Sequence, residues 1–512
     1  MRRISFVLSL LGCSLFLPAY GQEKAPLPVR DKVKTILSPS TLFQGKVWDN
    51  PALYNYYSSQ SVTDLNLGGR YTDRGNASLV QNGNKDLLWN ARVNSFIRLN
   101  EKESVFGSAS YENKHTKDIR WNENDDFDLL YPYVTGDSIG GFMQKETYRF
   151  EGGYARETGE WSLGGKIGYR VVSSYRDQDP RPRNIVSDLN ISAGAARHIG
   201  SYRLGIRVDF QTYKQSSKIS FLADKGSTPV YQMLGFGMHY VRFAGSQTSS
   251  QYKITRWGGS IDLLPEDGRN GWSATLSANS LRLVKELTSL YYLPLVKAQE
   301  YNLSAETAYQ TAYDEGKKAG IRLTADYTSR KGTENLFGDA TGNSYPVIGK
   351  TPGFKLQQAK VLLSAFMERP ADASHAWGWS LQPETGFYNI DANYETAKRS
   401  FRTTTWQANL QGQLQRAFKR TFWTASVTGG YAANLSNRAE LTGMDTKASS
   451  SQAVMHNIAY LSDNYWNAGA SLRADYQLNQ AYDLYLQAGW QTQQYKACGN
   501  TQQGTVSIGF IF

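Results

Sequence analysis

Cysteine is almost absent. The chain of 512 residues has two, Cys13 and Cys498. Cys13 lies in an N-terminal apolar stretch, so Cys498 has no partner in a mature monomer, and a disulfide framework is excluded. Beyond the N-terminus no apolar run reaches the roughly 18 residues that a membrane-crossing helix needs. Histidine is scarce: His115, His198, His239, His375 and His456 are the only five. No two have metal or triad spacing, whereas barrel hydrolases of lipids or proteins need a histidine with Ser or Asp partners. Each reads as a solvated loop or turn residue, and the chain reads as no enzyme. No phosphate loop, zinc cluster or dinucleotide fingerprint occurs, so no cofactor or metal is expected. Acidic residues are in deficit, 45 against 56 basic, for a formal charge of +11. No nucleic-acid-binding motif accompanies that excess. It fits a pore lining or contact with anionic lipopolysaccharide instead.

The N-terminus has the layout of a secretory signal. Met1-Arg2-Arg3 is positive, Ile4 to Leu17 is apolar, and Ala19-Tyr20-Gly21 offers small residues for cleavage before Gln22. Leu10-Leu11-Gly12-Cys13 is the rival, a lipoprotein signal, although the apolar run continues past the cysteine. Residues 1–21 are thus expected to be removed, 22–60 to form a short periplasmic or plug segment, and 61–512 the main body.

That body alternates. Leu87, Trp89, Ala91, Val93, Ser95, Ile97 and Leu99 interleave with Asn90, Arg92, Asn94, Phe96, Arg98 and Asn100. Trp161, Leu163, Gly165, Ile167 and Tyr169 do the same against Ser162, Gly164, Lys166, Gly168 and Arg170. Period two with one apolar and one polar face describes strands that meet lipid outside and a wet interior inside. A mean hydropathy of −0.51 is compatible, because only alternate residues face lipid. Tyr (33) and Trp (12) often begin or end these segments, as interfacial aromatic girdles do. Tight turns near 101, 159, 200, 267, 315, 371, 419 and 479 alternate with longer links. Together they predict an all-β, transmembrane, antiparallel up-and-down barrel of about 18 strands, or 16 to 20 if a hairpin is miscounted. Gly pairs such as Gly152-Gly153, Gly164-Gly165 and Gly258-Gly259 read as relief of crowding at bends rather than phosphate sites.

The last strand, Gly504 to Phe512, places Val506, Ile508, Phe510 and Phe512 on one face. A strand stopping on phenylalanine resembles the C-terminal signal of bacterial outer-membrane barrels. With the signal peptide, the Trp48–Ala52 stretch and the Tyr/Trp-rich hairpins, the chain resembles outer-membrane barrels of Bacteroidota, in particular families of unknown function. Asn50-Pro51-Ala52 resembles the N-terminal hatch motif of fatty-acid-transporter-like barrels; an Asn before Pro also simply starts a turn. The resemblance implies residence in the outer membrane, contact with its lipid and lipopolysaccharide, and insertion by the barrel-assembly machinery reading Val506, Ile508, Phe510 and Phe512. It carries over no catalytic or binding residue.

Two functions are open. One is a passive pore or transporter for small solutes. The other is a non-conducting accessory barrel that binds partner proteins in a surface uptake or secretion complex. A TonB-dependent transporter is disfavoured, because about 38 residues cannot form its plug and about 22 strands would be needed. Arg92, Arg98, Lys166, Arg170, Arg203, Arg207, Arg322 and Arg473 are placed on the inner face, against Asp209, Glu306, Asp326, Asp475 and Asp483. This excess predicts anion preference if a pore opens, while mutual pairing would instead close the lumen. In the link over 114–143, Asn122, Glu123, Asn124, Asp125, Asp126 and Asp128 cluster between Trp121 and Tyr131. They could chelate calcium, but the pattern lacks a central Gly and reads as a solvated surface loop.

Overall fold

The computed structural model describes residues 29–58, 60–222, 229–245, 249–314, 316–342, 344–371 and 375–512. The leader, Cys13 and the expected cleavage site lie outside them. Eighteen antiparallel strands form one sheet that closes on itself. They are β1 (Val62–Asp73), β2 (Lys85–Asn100), β3 (Glu103–Ile119), β4 (Gly141–Thr158), β5 (Trp161–Tyr175) and β6 (Arg181–Ile199). Next come β7 (Tyr202–Ser220), β8 (Ser250–Pro265), β9 (Gly271–Leu287), β10 (Leu293–Tyr313), β11 (Lys317–Phe337) and β12 (Val347–Arg369). The last are β13 (Trp377–Tyr394), β14 (Arg399–Phe418), β15 (Thr421–Leu441), β16 (Tyr465–Gln477), β17 (Asp483–Tyr495) and β18 (Asn500–Ile511). Each strand pairs with its sequence neighbours, and β18 pairs with β1 from Asp64↔Ile511 to Asp73↔Gln502. Beyond the last ladder pair, Phe512 and Thr63 exchange two backbone hydrogen bonds of 2.9 and 2.7 Å that hold the seam. Short connections at one end alternate with longer loops at the other, in the order the turn chemistry predicts. Gly159 and Gly200 take φ of 60° and 59°, the left-handed geometry that two-residue hairpins require.

Apolar side chains face outward over a band. Exposed aromatic pairs eight positions apart stand on three strands, Trp161/Tyr169, Tyr301/Tyr309 and Trp423/Tyr431, and a fourth, Tyr482/Trp490, begins one residue before β17. At about 3.3 Å per residue eight positions span about 27 Å of strand, and a tilt near 40° reduces this to about 20 Å of height. The rings therefore mark the two interfaces of one apolar band. Among the described residues no helix is long and apolar enough to cross a membrane; the strands do the crossing.

Toward the long-loop end the alternation changes sign. On β8, Trp257, Ile261 and Leu263 point outward, with Ser260 and Asp262 inside. A few residues higher, Tyr252 and Ile254 are buried inside while Lys253 is exposed. On β9 the inner face passes from Ser273 and Thr275 to Leu281, Leu283 and Leu287. The strands, up to 23 residues long, thus outreach the band, and their upper parts enclose an apolar core as a water-soluble barrel does. The expectation of one lipid face and one wet face along the whole strand holds only for the lower part.

Candidate transport lumen

Residues 29–58 pack inside the short-turn mouth. They comprise α1 (Val29–Leu37), α2 (Pro39–Leu42) and two short 3-10 helices, Gly45–Asp49 and Pro51–Tyr56. α1 anchors at β17: Lys32 lies 3.1 Å from Asp483, and Val33 packs with Val62, Phe422, Tyr485 and Ile511. Ser38 donates to Glu368 on β12 at 2.7 Å, and Phe43 meets Phe366 edge-on at 4.6 Å. The Lys46 amide donates to Glu306 on β10 at 2.9 Å. On the opposite wall Tyr54 stacks on Phe106 at 3.8 Å and Tyr57 tilts against Phe96.

Asn50-Pro51-Ala52 is the tightest part of this seat. The Asn50 side chain accepts from Ala52 N at 3.0 Å, capping the second short helix. Its amide donates to Asp262 at 2.9 Å and to the Ile206 carbonyl at 3.2 Å. Ser162 donates to the Ala52 carbonyl at 2.6 Å. Gly164, Gly194 and Gly205, on β5, β6 and β7, form the floor. A Cβ on Gly164 would overlap the Pro51 carbonyl, one on Gly194 would overlap Asn50 Oδ1, and one on Gly205 would stand 2.9 Å from Asn50 Nδ2. The triplet is therefore a turn, and also a key in a glycine-floored slot. Gly164 provides close approach rather than relief at a bend.

At the long-loop end two loops fold into the lumen. Residues 120–140 include α3 (Phe127–Leu130) and the strand Thr135–Gly136, which pairs with Tyr231–Gly235 of the loop after β7. Trp121, Leu130, Tyr133, Leu234 and Phe236 from these loops complete the apolar core with Tyr252, Leu283, Phe354 and Tyr394 of the wall. The acidic cluster in 120–140 is not a solvated surface loop: it folds inward and its carboxylates pair with cations. Glu123 and Asp137, both fully buried, receive Arg176 at 2.6 and 2.8 Å. Asp125 pairs with Lys145. Arg170 grips both oxygens of Asp126, at 3.0 and 2.7 Å. Asn124 donates to Ser217 at 2.9 Å and accepts from the Thr135 amide at 2.6 Å. Buried Lys285 donates to the Val134 carbonyl at 3.0 Å, and Arg399 to the Phe236 carbonyl at 2.7 Å. Asp118, Trp121 and Asp126 hold positive φ, a strain that persists where surrounding contacts dictate the backbone. Sequence reasoning missed this interior because a carboxylate does not disclose that its partner stands on a strand elsewhere in the chain.

Between the two obstructions lies a cavity of about 480 Å³ lined by Arg149, Glu151, Lys166, Arg170, Asp188, Arg207, Asp209 and Asp49. All eight cations assigned to the lumen lie on the inner wall, and their partners follow. Arg92 donates to Asn94 at 2.9 Å. Lys166 is 3.8 Å from Glu151, Arg170 also reaches Asp188 at 3.1 Å, and Arg473 pairs with Asp475 at 2.7 Å beneath Tyr485. The other four hold the N-terminal segment. Arg98 donates to the Asn55 carbonyl at 2.8 Å, Arg203 stacks on Tyr56 at 3.7 Å, Arg207 lies 3.7 Å from Asp49, and Arg322 donates to the Phe43 carbonyl at 2.9 Å. The cavity lining itself is balanced, with Arg149, Lys166, Arg170 and Arg207 against Asp49, Glu151, Asp188 and Asp209.

The histidines stand apart. His115 is within β3 and contacts Asn113 at 2.8 Å; His198 lies 3.2 Å from Glu266. His239 meets Tyr231 edge-on at 4.7 Å, and His456 lies on α4 (Ser449–Leu461), 3.0 Å from the Ser78 carbonyl. Among the described residues no three His, Cys, Asp or Glu side chains are grouped as metal ligands. Val506, Ile508, Phe510 and Phe512 all point outward, exposed along β18.

An even-stranded closed antiparallel sheet, banded outside by apolar side chains between aromatic girdles, defines a transmembrane β-barrel protein. Within that class, residues 51–512 match the model of a family of unknown function, DUF6850, and the chain belongs to that family. No curated protein matches it. Among solved structures, the ferric enterobactin receptor PfeA of Pseudomonas aeruginosa is similar at 11% identity, covering 89% of this chain and 81% of that one, with a TM-score of 0.39. BauA, the ferric preacinetobactin receptor of Acinetobacter baumannii, is similar at 9% identity over 88% and 80%, with a TM-score of 0.39. No residue of the lumen is assigned from either.

Proposed function

We propose that this protein is an outer-membrane barrel, obstructed at rest, that passes small polar solutes when its N-terminal segment yields. The observation that carries this reading is the contrast between the two obstructions. The long-loop end is filled by an apolar core with buried ion pairs, built to stay. The short-turn mouth is held by a segment of some thirty residues, 29–58, seated on several small separate apolar clusters, the Lys32–Asp483 ion pair and hydrogen bonds to the wall rather than on one continuous core. Between them the lumen is polar. In this reading the short turns are periplasmic, the long loops extracellular, residues 1–21 are the export signal, and the Val506–Phe512 face is the assembly signal. Lipid, lipopolysaccharide and the assembly machinery are its partners.

Planar-bilayer conductance before and after removal of residues 22–58 tests it, on protein shown by heat-modifiable gel migration to be folded. The full chain should pass little current and the shortened one a sustained current. Silence from both overturns the reading. It would favour an accessory barrel that binds partner proteins, for which exposed apolar residues at the long-loop end, Leu222, Val241 and Tyr291 in loops and Ile348 at the start of β12, speak.

A further inference from the structure

The inner wall is chemically divided. From β3 to β7 it carries the charged groups of the cavity. From β14 to β18 charge is confined to the two ends, Arg399 in the long-loop core and Arg473, Asp475 and Asp483 toward the short turns. Every second residue of β14 from Gln407 to Gln415 is an amide: Gln407, Asn409, Gln411, Gln413 and Gln415. These positions face inward, because Leu410, Leu414 and Phe418 alternate with them and are exposed on the outside. The inner faces of β15 to β18 continue with Thr, Ser, Gly, Asn and Gln above the Arg473–Asp475 pair. Asn467 donates to Asn409 at 3.0 Å across Gly430, where a Cβ would stand 2.8 Å from Asn467 Nδ2. Gln503 donates to Gln491 at 3.4 Å, and Gln491 is exposed although it points inward, so this wall borders open lumen. α4 stands over its long-loop end, with Tyr460 on Tyr495 at 5.3 Å.

We propose that the β14–β18 wall is a binding surface for neutral, hydroxyl-rich solutes, that is, carbohydrates. This inference rests on the solute-passing reading above. An amide offers donors and acceptors side by side, which matches the hydroxyl groups of a sugar. It offers no counter-charge, so an ionic solute leaving water for this wall loses hydration without compensation.

The test uses the full-length protein in detergent, with and without Gly164→Ala to release the N-terminal segment, and two probes, maltotriose and trigalacturonate, followed by saturation-transfer NMR and titration. Maltotriose should bind, and trigalacturonate at least tenfold more weakly. Asn409→Leu with Gln491→Leu should weaken maltotriose binding at least tenfold in a barrel that keeps its heat-modifiable migration. The wild-type comparison stands alone if that variant does not fold. No maltotriose binding, or equal or stronger binding of trigalacturonate, overturns the assignment. A barrel that conducts but fails here loses only its substrate class; one that binds maltotriose but never conducts loses the transport reading and keeps the site.

Discussion

Replacing Gly164 by Ala should release the N-terminal segment. The added methyl would overlap the Pro51 carbonyl and stand 2.5 Å from Ala52 N. These are backbone atoms, so no side-chain rotation can clear them. The segment must retreat by close to 1 Å, and overpacking of this kind costs about 1–3 kcal/mol. Retreat also stretches the Ser162–Ala52, Asn50–Asp262 and Asn50–Ile206 hydrogen bonds, each contributing about 0.5–1.5 kcal/mol. A loss of about 3–4 kcal/mol moves a two-state equilibrium by roughly 10² to 10³. Opening events in planar bilayers should rise by about that factor, and protease should cleave within 29–58. The neighbouring substitution Gly165→Ala is the control, since nothing lies within 4 Å of its Cβ. If Gly164→Ala matched Gly165→Ala in both assays, the glycine-floored seat would not be what holds the segment.

Four further outcomes follow from the same contacts. Arg176→Met strands Glu123 and Asp137 in the core; losing one partner of a buried ionic group costs about 3–5 kcal/mol, and hydrogen exchange over 120–140 should accelerate while the barrel persists. Asp126 titrates low: burial pushes its carboxyl up, but the Arg170 hydrogen bonds and charge, with Lys145 and Tyr213, pull it down further. A carboxyl lowered by folding stabilises above its unfolded value of about 3.9 and loses that contribution as pH falls through the folded value. Protection of 120–140 should therefore be flat from neutral pH down to about 5 and decline only below about 4, which exchange at a pH series will check. Burial and the nearby Asp463 push the Cys498 thiol up to about 11, so alkylation at pH 8 should be far slower than for a free thiol, with rapid labelling contradicting the geometry. Phe512→Ser removes the outward ring that ends β18 and should lower the yield of heat-modifiable barrel severalfold, unlike an equivalent change at Leu222 in a long loop.

The architecture and its order are legible along the chain. Period-two alternation makes each strand, and Gly or charged pairs at the tight turns make each hairpin. Counting the connections yields an even number of strands with both ends on one side. These are local properties, and an up-and-down barrel joins only sequence neighbours apart from the β1–β18 seam. The sign change along β8 to β10 was equally local, in Tyr252 and Ile254 against Trp257 and Ile261, and so was the amide run of β14; both lay in plain sight. The interior is set by the closed sheet instead. Arg176 meets Glu123 across 53 positions, Asn50 meets Asp262 across 212, and Ser38 meets Glu368 across 330. A side chain's neighbours across a lumen depend on the curvature and stagger of the closed sheet. No periodicity along the chain encodes which carboxylate a lumenal arginine will meet, or that a glycine in a strand is the floor beneath another segment's carbonyl.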